Sequence, residues 1–125
     1  MSAAPGRPKQ ARAAALQGEG TPVSAIVHLV MWRLNGATVA ERQAQARAMV
    51  RAFEALRGQV PGLLRMDVGA NVLEADDAWD LALSMVFASR SALDAYNAHP
   101  AHQAIKALMR PMRQTRAQVD FEIPS

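Results

Sequence analysis

Residues 24–34 are apolar at almost every position, with Ile26 and Val27, then Leu29, Val30 and Met31, in close succession. So short an apolar run predicts a strand buried on both faces. Alternation puts Ile26, His28, Val30, Trp32 and Leu34 on one face. Ala25, Val27, Leu29, Met31 and Arg33 fall on the other. After an Asn35-Gly36 turn the period changes. Thr38 with Glu41 three residues on forms a capping box, and Ala46, Met49, Val50, Phe53 and Leu56 recur at helical spacing. A helix from there to about Arg57, with Gly58 just beyond its end, follows. Val60-Pro61-Gly62 is a turn. A second strand is expected over 63–73, with Gly69 marking a bulge, and a third over 79–87, with Trp79, Leu81, Leu83, Met85 and Phe87 on one face. Ser89 caps a short helix that His99-Pro100 breaks. Pro100 then opens a new helical run to about Met109, ended by Pro111. In the last strand, 114–123, Thr115, Ala117, Val119, Phe121 and Ile123 alternate with Arg116, Gln118, Asp120 and Glu122, so one face is expected to be buried.

The order β-α-β-β-α-β predicts an α+β, ferredoxin-like domain: a four-stranded antiparallel sheet with its helices on one face. The other face would be bare yet apolar, and no sequence remains to cover it. A second copy of the chain is the simplest cover, forming a homodimer through the open sheet face as a dimeric α/β barrel.

Composition narrows the partners. The 125 residues suffice for one domain, and half are hydrophobic. Residues 1–22, rich in Ala, Gly, Pro and charge, are expected to be a disordered basic extension, with the domain in 23–125. Arg7, Lys9 and Arg12 against Glu19 place +2 of the net +3 in that extension. The remainder therefore lacks the basic field that attracts nucleic acid. No apolar stretch is long enough to span a membrane. With no cysteine, disulfides, thiolate nucleophiles and cysteine-held metals are excluded, and a cytoplasmic location fits.

Ile26 to Val30 with His28 at its centre, Val60-Pro61-Gly62, Phe87-Ala88-Ser89, and above all Tyr96-Asn97-Ala98-His99-Pro100-Ala101-His102 resemble the stress-responsive A/B barrel domain (Dabb) family. The resemblance covers roughly residues 24–123, nearly all of the folded part. It implies a dimeric ferredoxin-like barrel but little about activity, since most members have no assigned reaction. One similar plant protein is a polyketide cyclase that closes a ring by aldol condensation. The tyrosine and histidine that act there match Tyr96 and His102, and a first-strand histidine of its pocket matches His28.

Candidate chemistry concentrates on these residues. A neutral His102 in the first turn of the last helix would accept a proton from a carbon acid, and Tyr96 would stabilise the resulting enolate. Alternatively, the two bond to each other or to backbone at a helix junction. His28, pointing at the helices, would hold a substrate hydroxyl, and Trp32 would stack an aromatic ligand or simply fill the core. His99 is a further binding candidate, although capping the helix suits it better. His99 and His102 have metal-pair spacing, but no third ligand is evident beyond Asp94 or Asp120, so neither metal nor cofactor is expected. Glu74, Asp76, Asp77 and Asp80 form an acidic loop without calcium-site spacing. Three functional classes remain: a homodimer binding a small apolar or aromatic metabolite, a cofactor-free cyclase or isomerase, and a stable dimer with a purely structural stress role. A monooxygenase of the same barrel type fits the fold but has no motif here.

Overall fold

The computed structural model describes residues 24–124, so the expected extension over 1–22 lies outside the described residues. The first strand, β1 (Ala25–Leu34), runs through the middle of the sheet. Helix α1 (Val39–Glu54) follows, then β2 (Leu63–Ala70) and β3 (Leu81–Phe87). Two short helices, α2 (Arg90–Ala98) and α3 (Pro100–Met109), precede β4 (Arg113–Ile123). The sheet is fully antiparallel in the order β2-β3-β1-β4, and it stays open within one chain.

Local chemistry accounts for the helix starts. The Thr38 side chain accepts a hydrogen bond from the Glu41 amide at 3.1 Å, and the Glu41 carboxylate accepts from the Thr38 amide at 3.1 Å. Two otherwise orphaned donors are thus satisfied. Ser89 caps α2 by accepting from the Ala92 amide. The chain breaks at His99 because Pro100 lacks an N–H and crowds the residue before it. His99 is therefore extended (φ −69°, ψ 138°), ending α2 and capping α3 at once.

Helices cover one face. Ile26, Val30, Trp32 and Leu34 of β1, Met66 of β2, and Leu81, Leu83, Met85 and Phe87 of β3 bury against Ala46, Met49 and Phe53 of α1, Tyr96 of α2, and Ile105 and Met109 of α3. Each large apolar side chain so enclosed contributes about 1.5–3 kcal/mol.

Several expected boundaries shift. Helix α1 ends at Glu54, not Arg57. The chain tightens into turns there, with the Leu56 amide bonding Phe53 O and the Arg57 amide bonding Glu54 O. Strand β2 stops at Ala70, where its partner β3 begins, so Val72 and Leu73 are exposed in the connecting loop. Trp79 lies outside β3, and its ring is covered by the Arg33 guanidinium 4.8 Å from the centroid. Gly69 pairs regularly with Ala82, and the β2 bulge falls at Leu64 instead. The apolar side of β4 was expected to be buried. Within one chain Val119, Phe121 and Ile123 remain exposed, beside Met31 of β1, on the face opposite the helices.

Candidate functional site

Between the sheet and helices α2 and α3 lies a cavity of about 420 Å3. The β1–β4 register builds its floor. His28 sits opposite Asp120, Val30 opposite Gln118 and Trp32 opposite Arg116, all on the helix side of the sheet. The polar alternation of β4 thus faces the cavity, while its apolar alternation faces away.

Tyr96 on α2 forms the middle of the site. Its ring lies 5.3 Å from that of Phe87 and 4.3 Å from that of His102, and the His28 ring approaches edge-on at 6.4 Å. The Tyr96 hydroxyl is buried without a hydrogen-bond partner. Burial pushes its pKa well above the ordinary phenol value, so it stays a donor across the physiological range. The Trp32 indole N–H is likewise buried and unpartnered. Trp32 itself packs its ring 5.6 Å from that of Phe53 and still lines the cavity.

The two cavity histidines differ. His28 is 4% exposed, and its Nδ1 lies 2.5 Å from Asp120 Oδ1. An ionised carboxylate only accepts, so Nδ1 carries the hydrogen, and Nε2 is the nitrogen left bare whenever the ring is neutral. Gln118 donates to the other Asp120 oxygen at 2.6 Å. Burial alone would raise the Asp120 carboxyl, but the hydrogen bonds from Gln118 and His28, with the nearby charges, outweigh it and hold the pKa below the usual value. His102 is half-buried, with Nδ1 3.3 Å from the Asn97 carbonyl oxygen. A carbonyl also only accepts, so this ring again leaves Nε2 bare when neutral. Burial is the main cause lowering the His102 pKa; the Asn97 hydrogen bond opposes it and the Lys106 charge adds to it. The neutral form is favoured.

The cavity therefore brings together Tyr96, His102, His28 and Trp32. His99 is not among the lining residues, because its Nδ1 accepts from the Ala101 amide at 3.0 Å and caps α3. Among the described residues no three His, Cys, Asp or Glu side chains group to hold a metal ion. Nothing in the sequence marks Gln118 and Arg116 as site residues, and Asp120 stands there only as a possible third metal ligand. Their signal was the polar alternation of the last strand, which becomes informative only once that strand is set beside β1. Two larger depressions carry less chemistry. One, of about 900 Å3 at the start of α1, contains Asp80, already engaged by the Leu34 amide and Arg42. The other, of about 870 Å3, is the apolar groove of the open face, lined by Leu29, Met31 and Val119.

The stress responsive A/B barrel domain family matches residues 26–123, all of the sheet but its first residue, with the helices. The chain belongs to this family. No curated protein sequence matches it. Among solved structures, this A/B barrel domain is similar to a dimeric ferredoxin-like protein of unknown function from Bacteroides fragilis. That protein is 26% identical with a TM-score of 0.71, and the match covers 79% of this chain and 96% of the other. A dimeric ferredoxin-like protein of unknown function from Thermobifida fusca is 26% identical with a TM-score of 0.71, covering 81% and 92%. A hydroxynitrile lyase from Passiflora edulis, at 15% identity and a TM-score of 0.67 over 82% and 95%, shares the fold. No described helix of this A/B barrel domain is long and apolar enough to cross a membrane.

Proposed function

We propose that this A/B barrel domain forms a homodimer across its open sheet face, and that each protomer binds a small, partly apolar metabolite bearing a carbonyl oxygen between sheet and helices. The observation that carries the reading is the cavity of about 420 Å3 lined by Tyr96, whose buried hydroxyl has no hydrogen-bond partner. Ligand sites start at about 300 Å3. A buried donor without an acceptor costs about 1–3 kcal/mol, which a ligand oxygen would recover. The open cavity speaks against a role in which dimer stability alone is the function. The dimeric state of the Bacteroides and Thermobifida relatives supports a homodimer. The uncovered apolar strip of β1 and β4 supports the choice of face. The absence of cysteine accords with the cytoplasm, the location we assign.

A second reading is enzymatic, and the neutral His102 ring 4.3 Å from the Tyr96 ring favours it. His102 Nε2 would remove a proton from the carbon next to a bound carbonyl. The electron pair left behind would move onto the oxygen, where the Tyr96 hydroxyl stabilises the enolate. That enolate is the nucleophile of an aldol ring closure or the intermediate of an isomerisation. His28, fixed by Asp120, would accept a hydrogen bond from a substrate hydroxyl at Nε2.

Acetophenone tests both readings. Its binding is followed by the Trp32 indole N–H resonance, and exchange of its methyl protons in deuterated water by NMR. Binding with exchange that is lost in His102→Ala supports the enzyme. Binding without accelerated exchange leaves a binding protein. A resonance unmoved at saturating probe refutes the pocket.

A further inference from the structure

We propose that the cavity selects an anionic ligand, a small carboxylate bearing a second oxygen function, and that Arg113 and Arg116 hold the carboxylate. The inference rests on the pocket reading above and names the substrate class of that same site.

Charge is the first observation. Lys106, Arg110, Arg113 and Arg116 all line this one cavity, and no Asp or Glu is among its described lining residues. None of the four is ion-paired with a carboxylate among the described residues. Asp120, the carboxylate of the same β4 face, is hydrogen-bonded to His28 and Gln118. General basicity does not explain the cluster. The chain outside the first 22 residues carries a net charge of only +1, so four cations around one opening are a local concentration. Lys106 in the last turn of α3 and Arg110, which caps the end of that helix, are four residues apart and fall on one side of it.

Backbone geometry is the second observation. On a regular strand Arg113 would share the side of Thr115, which is the open face. The β1–β4 register instead runs from Arg33 opposite Thr115 to Leu34 opposite Arg113, so Gln114 is an extra residue in β4. This bulge brings Arg113 onto the face of Leu34, Trp32 and Arg116, the side of the cavity. Bulges of this kind re-aim side chains beside functional sites. The result sets two like charges near each other: burial and then the Arg113 charge push the Arg116 pKa down, and the Asp120 charge opposes them without cancelling them. A bound anion relieves that repulsion, and guanidinium forks match the two oxygens of a carboxylate.

Unused donors are the third observation. The Tyr96 hydroxyl and the Trp32 indole N–H are both buried without acceptors on side chains that line the cavity. Phe53, Leu83, Ile105 and Met109 supply its apolar wall. A ligand with a carboxylate at the arginines, an apolar body and a carbonyl or hydroxyl oxygen within reach of Tyr96 meets the unpaired cations, the apolar wall and the Tyr96 hydroxyl together.

The test compares 3-benzoylpropionate with its uncharged methyl ester, in wild type and in Arg113→Gln/Arg116→Gln, by calorimetry and by Trp32 fluorescence read in a Trp79→Phe background. Both arginines are exposed, so the double variant is expected to keep its fold, and circular dichroism checks this. Arg116→Lys alone, which retains the charge, serves as a second variant. The acid is expected to bind about 10- to 100-fold more tightly than the ester, the range for charge-assisted hydrogen bonds. The preference should fall to within about threefold in the double variant, persist in part in Arg116→Lys, and shrink with added salt. Equal binding of acid and ester to wild type overturns the anion assignment and leaves the pocket reading standing. A preference that survives in the folded double variant overturns the role of these arginines. Binding of neither compound, with Trp32 fluorescence unchanged, overturns both.

Discussion

Replacing Phe121 with lysine should split the dimer while leaving each chain folded. Phe121 lies on β4 opposite Val27 and is 45% exposed in the single chain. A phenylalanine offers about 200 Å2, so roughly 90 Å2 of it awaits a cover. At about 25 cal/mol per Å2 that amounts to about 2 kcal/mol. A two-fold interface uses the same position twice, giving about 4–5 kcal/mol, or roughly a 10³-fold weaker dimer. Any ammonium held away from water adds to the loss. The fold itself should tolerate the change, because the side chain packs on nothing within its own chain that the helices need. Sedimentation equilibrium over a wide concentration range reads the dissociation constant, and far-ultraviolet circular dichroism verifies the secondary structure. A variant that dimerises within about tenfold of wild type would refute the reasoning. The association would then have to use another surface, and the apolar strip of β1 and β4 would need a different explanation.

Three further outcomes are expected. Gly62 has φ +81°, and a Cβ there would come within 2.6 Å of Ala92 Cβ, whereas Gly58 at φ +78° has open space around it. Gly58→Ala should therefore cost about 1–2 kcal/mol and Gly62→Ala clearly more; equal losses in urea denaturation would show that the close approach to Ala92 is relieved without cost. Tyr96→Phe removes an unpartnered buried hydroxyl, so it should leave the ligand-free chain as stable or up to about 1 kcal/mol more stable while weakening 3-benzoylpropionate binding. A lower melting temperature would mean that the hydroxyl has a partner in the ligand-free chain. The folded chain lowers the His102 pKa below 6.5, so between the folded value and 6.5 it binds fewer protons than the unfolded chain. The resulting stability is fully present above the unfolded value and is lost as pH falls through the folded one. Denaturation between about pH 5 and 7.5 should thus show stability rising with pH, and His102→Gln should flatten that rise; an unchanged slope would assign it elsewhere.

The architecture was largely legible because it rests on periodicity and punctuation. The two-sided apolar run of β1, the Thr38–Glu41 capping box and the His99-Pro100 break each act within a few residues, and each stands where the local pattern put it. The misplaced features are those that depend on a partner strand. Gly69 is as compatible with regular pairing as with a bulge, and only the alignment with β3 decides that the irregularity falls at Leu64. Val72, Leu73 and Trp79 have strand-like composition, but a strand ends where its neighbour does.

The site divides along the same line. Tyr96 and His102 lie six residues apart across one helix junction, so their proximity follows from the local chain. The bond between His28 and Asp120 spans 92 residues of sequence. It exists because β4 lies beside β1 in one particular register, and nothing near either residue announces it. The extra residue at Gln114 likewise has no signature of its own, yet it decides on which side of the sheet Arg113 stands. Hydrophobic spacing alone therefore determined the elements, their order and the bare apolar face, since these follow from local backbone preference and from which side chains must leave water. Register between distant strands decided which polar groups meet in the cavity and which are left without partners, because it is chosen by the packing of the whole sheet.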